Sequence, residues 1–208
     1  MREVVLALAP HTDDVEFGCG GTLARLIEEG ADVHVAAFSI CEESVPEGFS
    51  RDALDKEFRA SMKIFGLPER NVHVFRFKVR QFPAQRQEIL EEIIRLRKCI
   101  NPSLVFAPSS HDIHQDHHTI AEEAVRAFKF TKLLGYEMGW NNLTFDNTMF
   151  YRLEAQHIET KIKAIGCYAT QKFRAYTEAG TIKSLATVRG MQIGVSYAEV
   201  FEVVRWVA

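Results

Sequence analysis

The chain has 208 residues, 47% of them hydrophobic and 25% charged, so its length and composition predict one globular domain over residues 1–208. Its formal net charge of −3 gives no broad basic field, which argues against nucleic acid or an anionic membrane surface as a partner. No apolar stretch reaches the roughly 20 residues of a membrane-spanning helix, and no leader pattern opens the chain, so we expect a cytoplasmic protein.

Apolar β-branched segments alternate with amphipathic segments along the chain. In chain order we predict strand 3–9, helix 20–29, strand 32–39, helix 51–65, strand 71–77, helix 85–100, strand 104–107, helix 116–128, strands 134–138 and 148–153, helix 154–167 and strand 198–204. This alternation is typical of βαβ units. It predicts an α/β, Rossmann-like three-layer fold with a mostly parallel sheet and helices on both faces.

The four cysteines are Cys19, Cys41, Cys99 and Cys167. They are widely spaced and form no CxxC pair, so neither a zinc knuckle nor a disulfide framework is predicted. We expect reduced, buried thiols.

A first polar cluster follows the first predicted strand and contains His11, Asp13 and Asp14. One imidazole and two carboxylates on a tight strand-to-helix turn can supply metal ligands together with a base. An Asp pair after a strand is, taken alone, more often a helix N-cap. The glycines at 18, 20 and 21 are expected to let the backbone pass close to a ligand. They do not fit GxGxxG, so a dinucleotide site has little support.

A second polar cluster, residues 111–118, follows the predicted strand 104–107 and holds four of the chain's eight histidines. A solvated His-rich loop is the simpler interpretation of such a segment. Ligands of open parallel sheets bind at the carboxyl ends of strands, however, which places both clusters at one edge. Together they offer imidazole nitrogens and carboxylate oxygens, and this combination predicts a zinc site with an open coordination position.

Both clusters resemble the motifs of the deacetylase family that includes the glycosylphosphatidylinositol-pathway de-N-acetylase and the bacterial LmbE-like proteins. The family motif His-Pro-Asp-Asp corresponds to residues 11–14, with Thr12 in place of the usual proline, and His-x-Asp-His corresponds to residues 114–117. The similarity continues through 163–171 and 190–199. It implies a Zn²⁺-dependent hydrolase that removes the acetyl group from an N-acetylated sugar or sugar conjugate of the N-acetylglucosamine type, by attack of a zinc-bound water on the amide carbonyl.

The resemblance also implies a role for each residue of the first motif. His11, Asp14 and His117 correspond to the zinc ligands, and three protein ligands leave one position for water. Asp13 corresponds to the general base. The change to Thr12 removes neither a ligand nor the base.

Within the second cluster, His114 is expected to act when protonated, either by stabilising the oxyanion or by donating a proton to the leaving amine. Asp116 fits a catalytic supporting role, in which it holds a neighbouring imidazole in one tautomer, and it also fits a helix N-cap. His118 is expected to point away from the metal, and His111 is expected to be a loop residue.

Substrate contacts are predicted at Arg80, Trp140 and Asn141, because they follow predicted elements and can reach sugar hydroxyls or a phosphate. Any contact from Arg51 is in doubt. The expected partner is a small N-acetylated sugar or glycoconjugate, and a homo-oligomer is compatible with the sequence.

Three other functions are open to this sequence. A binuclear metallohydrolase would need a further histidine where Asp112 stands, and it would leave residues 11–14 without a role. A sugar-binding or regulatory module on the same fold would be favoured by loss of the ligands or base. A nucleotide-binding oxidoreductase lacks the glycine fingerprint. Metal stoichiometry would separate these possibilities, since a mononuclear deacetylase is expected to bind about one zinc per chain.

Overall fold

The computed structural model describes residues 2–207 and confirms the α/β class. In chain order its helices and strands are β1 (Val4–Ala9), α1 (Asp14–Glu28), β2 (Asp32–Ala37), α2 (Ala53–Ile64), β3 (Val72–Val74), α3 (Arg86–Ile100), β4 (Leu104–Pro108), α4 (Gln115–Ala127), β5 (Lys132–Tyr136), β6 (Met149–Leu153), α5 (Ala155–Ile165), α6 (Ala179–Met191) and β7 (Tyr197–Arg205). No helix within residues 2–207 is both long enough and apolar enough to cross a membrane.

The strands form one sheet in the order β3-β2-β1-β4-β5-β7-β6. Strands β1 to β5 are parallel to one another. Strand β7 pairs antiparallel with β5, and β6 pairs antiparallel with β7. Helices α1, α2 and α5 bury their apolar residues on one face, and α3 and α4 bury theirs on the other. The predicted three-layer arrangement with a mostly parallel sheet is therefore confirmed.

Strand β1 shows why the centre of the sheet is stable. Val5 and Ala7 face the core under α1, while Leu6 and Leu8 face the core under α3 and α4. All four are fully buried, as expected for a strand covered on both sides. Burial of one such leucine contributes about 1.5–3 kcal/mol.

The order of the strands reverses at β1. The chain passes from β1 to β2 and β3 on one side, then returns to β4 on the other side of β1. In open α/β sheets, the crevice beyond the carboxyl ends of the strands at such a switch point is the usual ligand site. Residues 10–13 follow β1 and residues 109–114 follow β4, so this crevice receives both polar clusters.

Helix α1 begins at Asp14, six residues before the predicted start, and is kinked at Cys19 (φ −144°, ψ 15°). A Cβ atom at Gly18 would lie 2.2 Å from a ring carbon of Tyr136, and one at Gly21 would lie 2.6 Å from a methyl carbon of Leu153. These glycines therefore allow close packing of α1 on the sheet, in place of the approach to a ligand that we expected.

The polar groups released by this kink have buried partners. Lys161 Nζ donates to the Phe17 carbonyl (2.6 Å), and the Glu199 carboxylate accepts from the backbone N–H groups of Gly21 (3.0 Å) and Thr22 (2.7 Å). Lys161 and Glu199 also form an ion pair at 2.7 Å. Since unpaired backbone groups inside a protein are costly, this pair stabilises the kinked helix.

Two predictions about the periphery need correction. Helix α6 was not predicted, and the strand predicted at 134–138 is β5 at Lys132–Tyr136.

All four cysteines are free, and Cys19 and Cys41 are buried as predicted. The expected burial is wrong for Cys99, which is exposed, and for Cys167, which is half-buried.

Candidate metal centre

The loops after β1 and β4 bring the two histidine motifs into contact. His11 Nδ1 lies 3.2 Å from His117 Nε2, although the residues are 106 positions apart. Helix α4 begins at Gln115, and His114 is its N-cap, with Nδ1 accepting a hydrogen bond from the Asp116 N–H (3.2 Å). His114 therefore occupies the N-cap position that the sequence suggested for Asp116.

Three donor atoms form a nearly equilateral triangle. Asp14 Oδ2 lies 3.3 Å from His11 Nδ1 and 3.3 Å from His117 Nε2, and the two nitrogens are 3.2 Å apart. A tetrahedral zinc ion, with bonds of about 2.0–2.1 Å, requires about 3.3–3.4 Å between its ligand atoms. The triangle fits one such ion with a fourth position open.

The ring of His114 adjoins this triangle. One ring nitrogen of His114 lies within 4.8 Å of a ring nitrogen of His11 and of a ring nitrogen of His117. The three imidazoles therefore converge on one point, with the carboxylate of Asp14 beside two of them.

A buried carboxylate holds each of the two imidazoles of the triangle. Asp116 Oδ2 lies 3.0 Å from His11 Nε2, and Asp112 Oδ2 lies 2.7 Å from His117 Nδ1. A carboxylate that accepts the N–H of one ring nitrogen leaves the other nitrogen as the one that can bind a metal, in exchange for any proton it carries. The sequence did not indicate Asp112 for this position, because its contact with His117 is set by the shape of the loop.

The same carboxylates connect the surrounding loops. Asp116 also accepts the backbone N–H groups of Arg80 (2.5 Å) and Phe82 (3.2 Å). Asp112 accepts the His114 N–H (2.8 Å) and forms a β-bridge with Asn142. The imidazoles are thus held by a hydrogen-bonded network that joins the loops after β1, β3 and β4.

Asp13 stands at the N-cap of α1, but its side chain makes no capping hydrogen bond. Burial, reinforced by repulsion from Asp14, raises the pKa of Asp13 to about 6. A carboxylate with a pKa near neutrality and no structural partner is suited to accept a proton. Asp14 differs, because although burial opposes its ionisation, His117 and His11 hold its pKa well below the usual range.

The role expected of a protonated His114 stays a prediction, while its surroundings favour the neutral ring. Burial lowers the pKa of His114, and the neighbouring His117 and His11 lower it further, so the neutral ring is favoured at pH 7. Because Nδ1 accepts the Asp116 N–H, the neutral ring carries its proton on Nε2. His114 can therefore donate a hydrogen bond without being an imidazolium.

Thr12 is buried, and its carbonyl accepts the hydroxyl proton of Tyr168. The His11 N–H donates to Asp14 Oδ2 at 2.7 Å, which closes the same turn from the other side. These two hydrogen bonds fix the turn where the family usually has a proline.

The donor triangle opens into a cavity of about 280 Å³, and all three predicted contact residues, Arg80, Trp140 and Asn141, line it. Arg174 and Tyr176 also line it, and the sequence did not indicate them. The rings of Trp140 and Tyr176 stack with centroids 3.9 Å apart and planes inclined by 12°. This pair forms an aromatic wall beside the polar centre.

Other candidates lie outside the cavity. His118 is exposed and lies 3.4 Å from Glu122 on the surface of α4. His111 is an exposed loop residue, as predicted, 3.3 Å from Asp146. Arg51 is also exposed and does not line the cavity.

Comparison with known proteins places both motifs within one family. Residues 6–128, more than half of the chain, match the PIG-L family, described as GlcNAc-PI de-N-acetylase. The uncharacterised deacetylase YaiS of Escherichia coli K12 is 26% identical over 169 residues, which cover 79% of this chain and 89% of YaiS.

Two solved structures show the same fold. The N,N′-diacetylchitobiose deacetylase of Pyrococcus horikoshii has a TM-score of 0.80 and 22% identity, covering 96% of this chain and 83% of its own. GalB, the 4-carboxy-2-hydroxymuconate hydratase of Pseudomonas putida KT2440, has a TM-score of 0.80 and 19% identity, covering 99% of this chain and 98% of its own. These likenesses concern the fold alone, whereas the family match over residues 6–128 confirms the resemblance seen in the motifs: the chain belongs to the PIG-L family of deacetylases.

Proposed function

We propose that this protein is a zinc-dependent hydrolase that removes the acetyl group from an N-acetylated sugar or sugar conjugate of the N-acetylglucosamine type. The observation that carries the proposal is the donor triangle of His11, Asp14 and His117, which lies beside Asp13 in a polar cavity. Family membership supports deacetylation.

In this proposal His11, Asp14 and His117 hold the zinc ion. Zinc supplies Lewis acidity at this position, which polarises an amide carbonyl and lowers the pKa of water from about 15.7 towards roughly 7. Asp116 and Asp112 keep the two imidazoles in the tautomer that presents a free nitrogen to the ion.

Asp13 is the general base. It accepts a proton from the water molecule whose oxygen adds to the amide carbonyl carbon. When the carbon–nitrogen bond then breaks, Asp13 gives this proton to the leaving nitrogen. Acetate and a free amine result. Asp13 is suited to this exchange because its side chain has no capping role and its pKa of about 6 lets it both accept and release a proton near neutrality.

His114 stabilises the negative charge that develops on the carbonyl oxygen. Its Nε2–H is the donor, since Nδ1 is engaged with the Asp116 N–H. The stacked rings of Trp140 and Tyr176 provide an apolar face beside this centre, and Asn141 provides polar groups for sugar hydroxyls.

The experiment that tests this function is a screen of the zinc-loaded protein against N-acetylglucosamine, its glycosides and N,N′-diacetylchitobiose. Amine release and acetate release are measured in parallel and are expected in equal amounts, with about one zinc per chain. His117→Ala is the matched control and should lose both zinc and activity. Zinc-loaded protein that releases no acetate from any of these amides would contradict the proposal, and two metal ions per chain would favour a binuclear hydrolase.

A further inference from the structure

Arg80 has an unusual backbone conformation for a residue with a side chain, with φ of 66°. Its N–H donates to Asp116 Oδ2 at 2.5 Å, and its carbonyl accepts the side-chain amide of Gln115. A residue other than glycine is strained in this region, and such residues concentrate at functional sites. The backbone of Arg80 is therefore fixed by the same carboxylate that holds His11.

Arg80 and Arg174 both line the cavity. Within residues 2–207, neither guanidinium lies within the 4.0 Å of a carboxylate oxygen that defines an ion pair. By contrast, Arg59, Arg86 and Arg189 each pair with carboxylates at 2.8 Å or less. The two cations of the cavity therefore lack the partner that the chain gives to these other arginines.

Neutral groups hold Arg174 in place. It donates to the hydroxyl of Tyr176 at 2.5 Å, and its guanidinium carbon lies 5.3 Å from the ring centre of Phe173 and 5.6 Å from that of Tyr176. A guanidinium has five N–H donors in a planar fork, and only one is used in this arrangement. The remaining donors are available for an external acceptor.

We propose that the sugar substrate carries an anionic group, either phosphate or carboxylate, and that Arg80 and Arg174 bind it. This inference rests on the proposed function. The planar guanidinium matches the oxygens of phosphate and carboxylate, and such charge-assisted hydrogen bonds are shorter and stronger than neutral ones.

A competing role for Arg174 would be to keep Asp13 ionised by its charge. That role predicts an equal loss of activity on neutral and anionic substrates, because Asp13 serves both. Binding of an anion predicts a loss that falls on the anionic substrate. The ratio of the two kcat/KM values separates these roles.

The test compares methyl N-acetyl-β-glucosaminide, which is neutral, with N-acetylglucosamine 1-phosphate, N-acetylglucosamine 6-phosphate and the carboxymethyl glycoside. We expect at least one anionic substrate to have a kcat/KM about tenfold or more above that of the neutral glycoside, with added salt reducing this preference. The phosphates and the carboxylate distinguish the two kinds of anion, and the 1- and 6-phosphates locate the group on the sugar.

Arg80→Gln and Arg174→Gln should each reduce the ratio of anionic to neutral kcat/KM by about tenfold or more. Arg152→Gln is the matched control, because Arg152 is an exposed arginine of β6 that does not line the cavity, and its ratio should equal that of the wild type. Equal kcat/KM values on all four substrates would overturn the inference, as would a wild-type ratio in both cavity variants.

A binding measurement keeps this inference distinct from the proposed function. If the zinc-loaded protein hydrolyses none of the four compounds, calorimetric titration compares its affinities for N-acetylglucosamine 1-phosphate, the carboxymethyl glycoside and the neutral glycoside. Tighter binding of an anionic compound, lost in Arg174→Gln, would support the anion site while the deacetylase proposal fails. Equal or undetectable binding of all three would overturn the anion site as well.

Discussion

His11 and His117 each present one nitrogen to a carboxylate and the other to the donor triangle. Asp116 and Asp112 come from the same loop and helix start, yet they hold imidazoles that lie more than 100 positions apart in sequence. The carboxylates therefore orient both rings towards the donor triangle. The negative charge of each carboxylate also increases the basicity of the nitrogen that faces the site.

Asp112→Asn should therefore weaken zinc binding by about 10–100-fold while the protein stays folded. The amide can still accept the His114 N–H, but it carries no charge to hold the His117 ring. Competition with a chelator of known zinc affinity measures the effect. Asp146→Asn, at an exposed carboxylate beside His111, is the control and should leave the affinity unchanged. A wild-type zinc affinity in Asp112→Asn would show that this carboxylate does not support the ligand.

The candidate site was predictable only in part from the sequence. His11, Asp13 and Asp14 follow a strand in one short motif, and together with the second cluster their chemistry predicts a metal site, while their individual roles are what the family resemblance implies. Asp112 and Arg174 have no such local signal, because Asp112 acts through the fold of its loop and Arg174 reaches the cavity from a segment that lacks a recognisable motif.

At the scale of elements, helix α1 connects the site to the rest of the protein. Its first turn carries Asp14, and its kink at Cys19 is stabilised by the buried pair of Lys161 from α5 and Glu199 from β7. These two residues lie in or near segments whose resemblance to the family is evident in sequence. The structure gives them a supporting role for the helix that presents Asp14, the proposed metal ligand.

Lys161→Met should destabilise the protein by about 3–5 kcal/mol, because it leaves Glu199 as a buried charge without its partner and the Phe17 carbonyl without a donor. Urea unfolding of the two proteins measures the difference. Lys163→Met, two positions away on the exposed side of α5, is the matched control and should change stability little. Equal free energies of unfolding for both variants would contradict the role given to the buried pair.

The edge of the sheet contains a second histidine pair, His34 on β2 and His73 on β3, with Nδ1 and Nε2 3.2 Å apart. Burial lowers the pKa of both rings, that of His73 to about 4. In the unfolded chain each ring has a pKa of about 6.5. Between these values the unfolded state binds more protons than the folded state, so stability falls as the pH is lowered from about 6.5 towards 4.

His73→Gln should therefore lose less stability than the wild type when the pH is lowered from about 7.5 to about 5. Urea unfolding of both proteins without zinc at the two pH values gives the comparison, and groups common to both proteins cancel. An identical loss of stability in the two proteins would show that His73 does not titrate as described.

The success of the element predictions followed the strength of the local pattern. β1, which is buried from Val5 onwards, and β4, which is buried throughout, are apolar segments whose bounds were predicted to within one residue. The predicted start of α1 is too late because Gly18 suggests a turn before residue 20. In the structure Gly18 and Gly21 instead allow close packing against Tyr136 and Leu153. Helix α6 buries only Ile182, Ala186 and Gly190, so its sequence has no clear apolar stripe.

At the scale of the whole molecule, the site lies where the order of strands reverses. The sheet places the ends of β1 and β4 side by side, and the carboxylates of the second cluster complete the hydrogen bonding of the imidazoles. We therefore expect the fold to form without a metal ion, in contrast to small domains whose folding depends on their zinc.

Removal of zinc should therefore lower stability without unfolding the protein. At free zinc of about 1,000 times the dissociation constant, the expected loss is about 4 kcal/mol, while the far-UV circular dichroism of the apoprotein stays unchanged. Thermal unfolding with and without a chelator tests this, and His117→Ala should show no response to zinc. An apoprotein without secondary structure, or a wild type whose unfolding temperature ignores zinc, would contradict this description.

In the proposed reaction, Asp13 accepts the proton from water beside a metal held by His11, Asp14 and His117. The most direct test measures acetate release and zinc content together in the wild type and in Asp13→Asn, on whichever N-acetylated sugar the wild type hydrolyses. The amide preserves the shape of the side chain but cannot accept the proton, so we predict one zinc per chain in both proteins and a loss of turnover on the order of 10²-fold or more in the variant. Near-wild-type acetate release by zinc-loaded Asp13→Asn would contradict the claim.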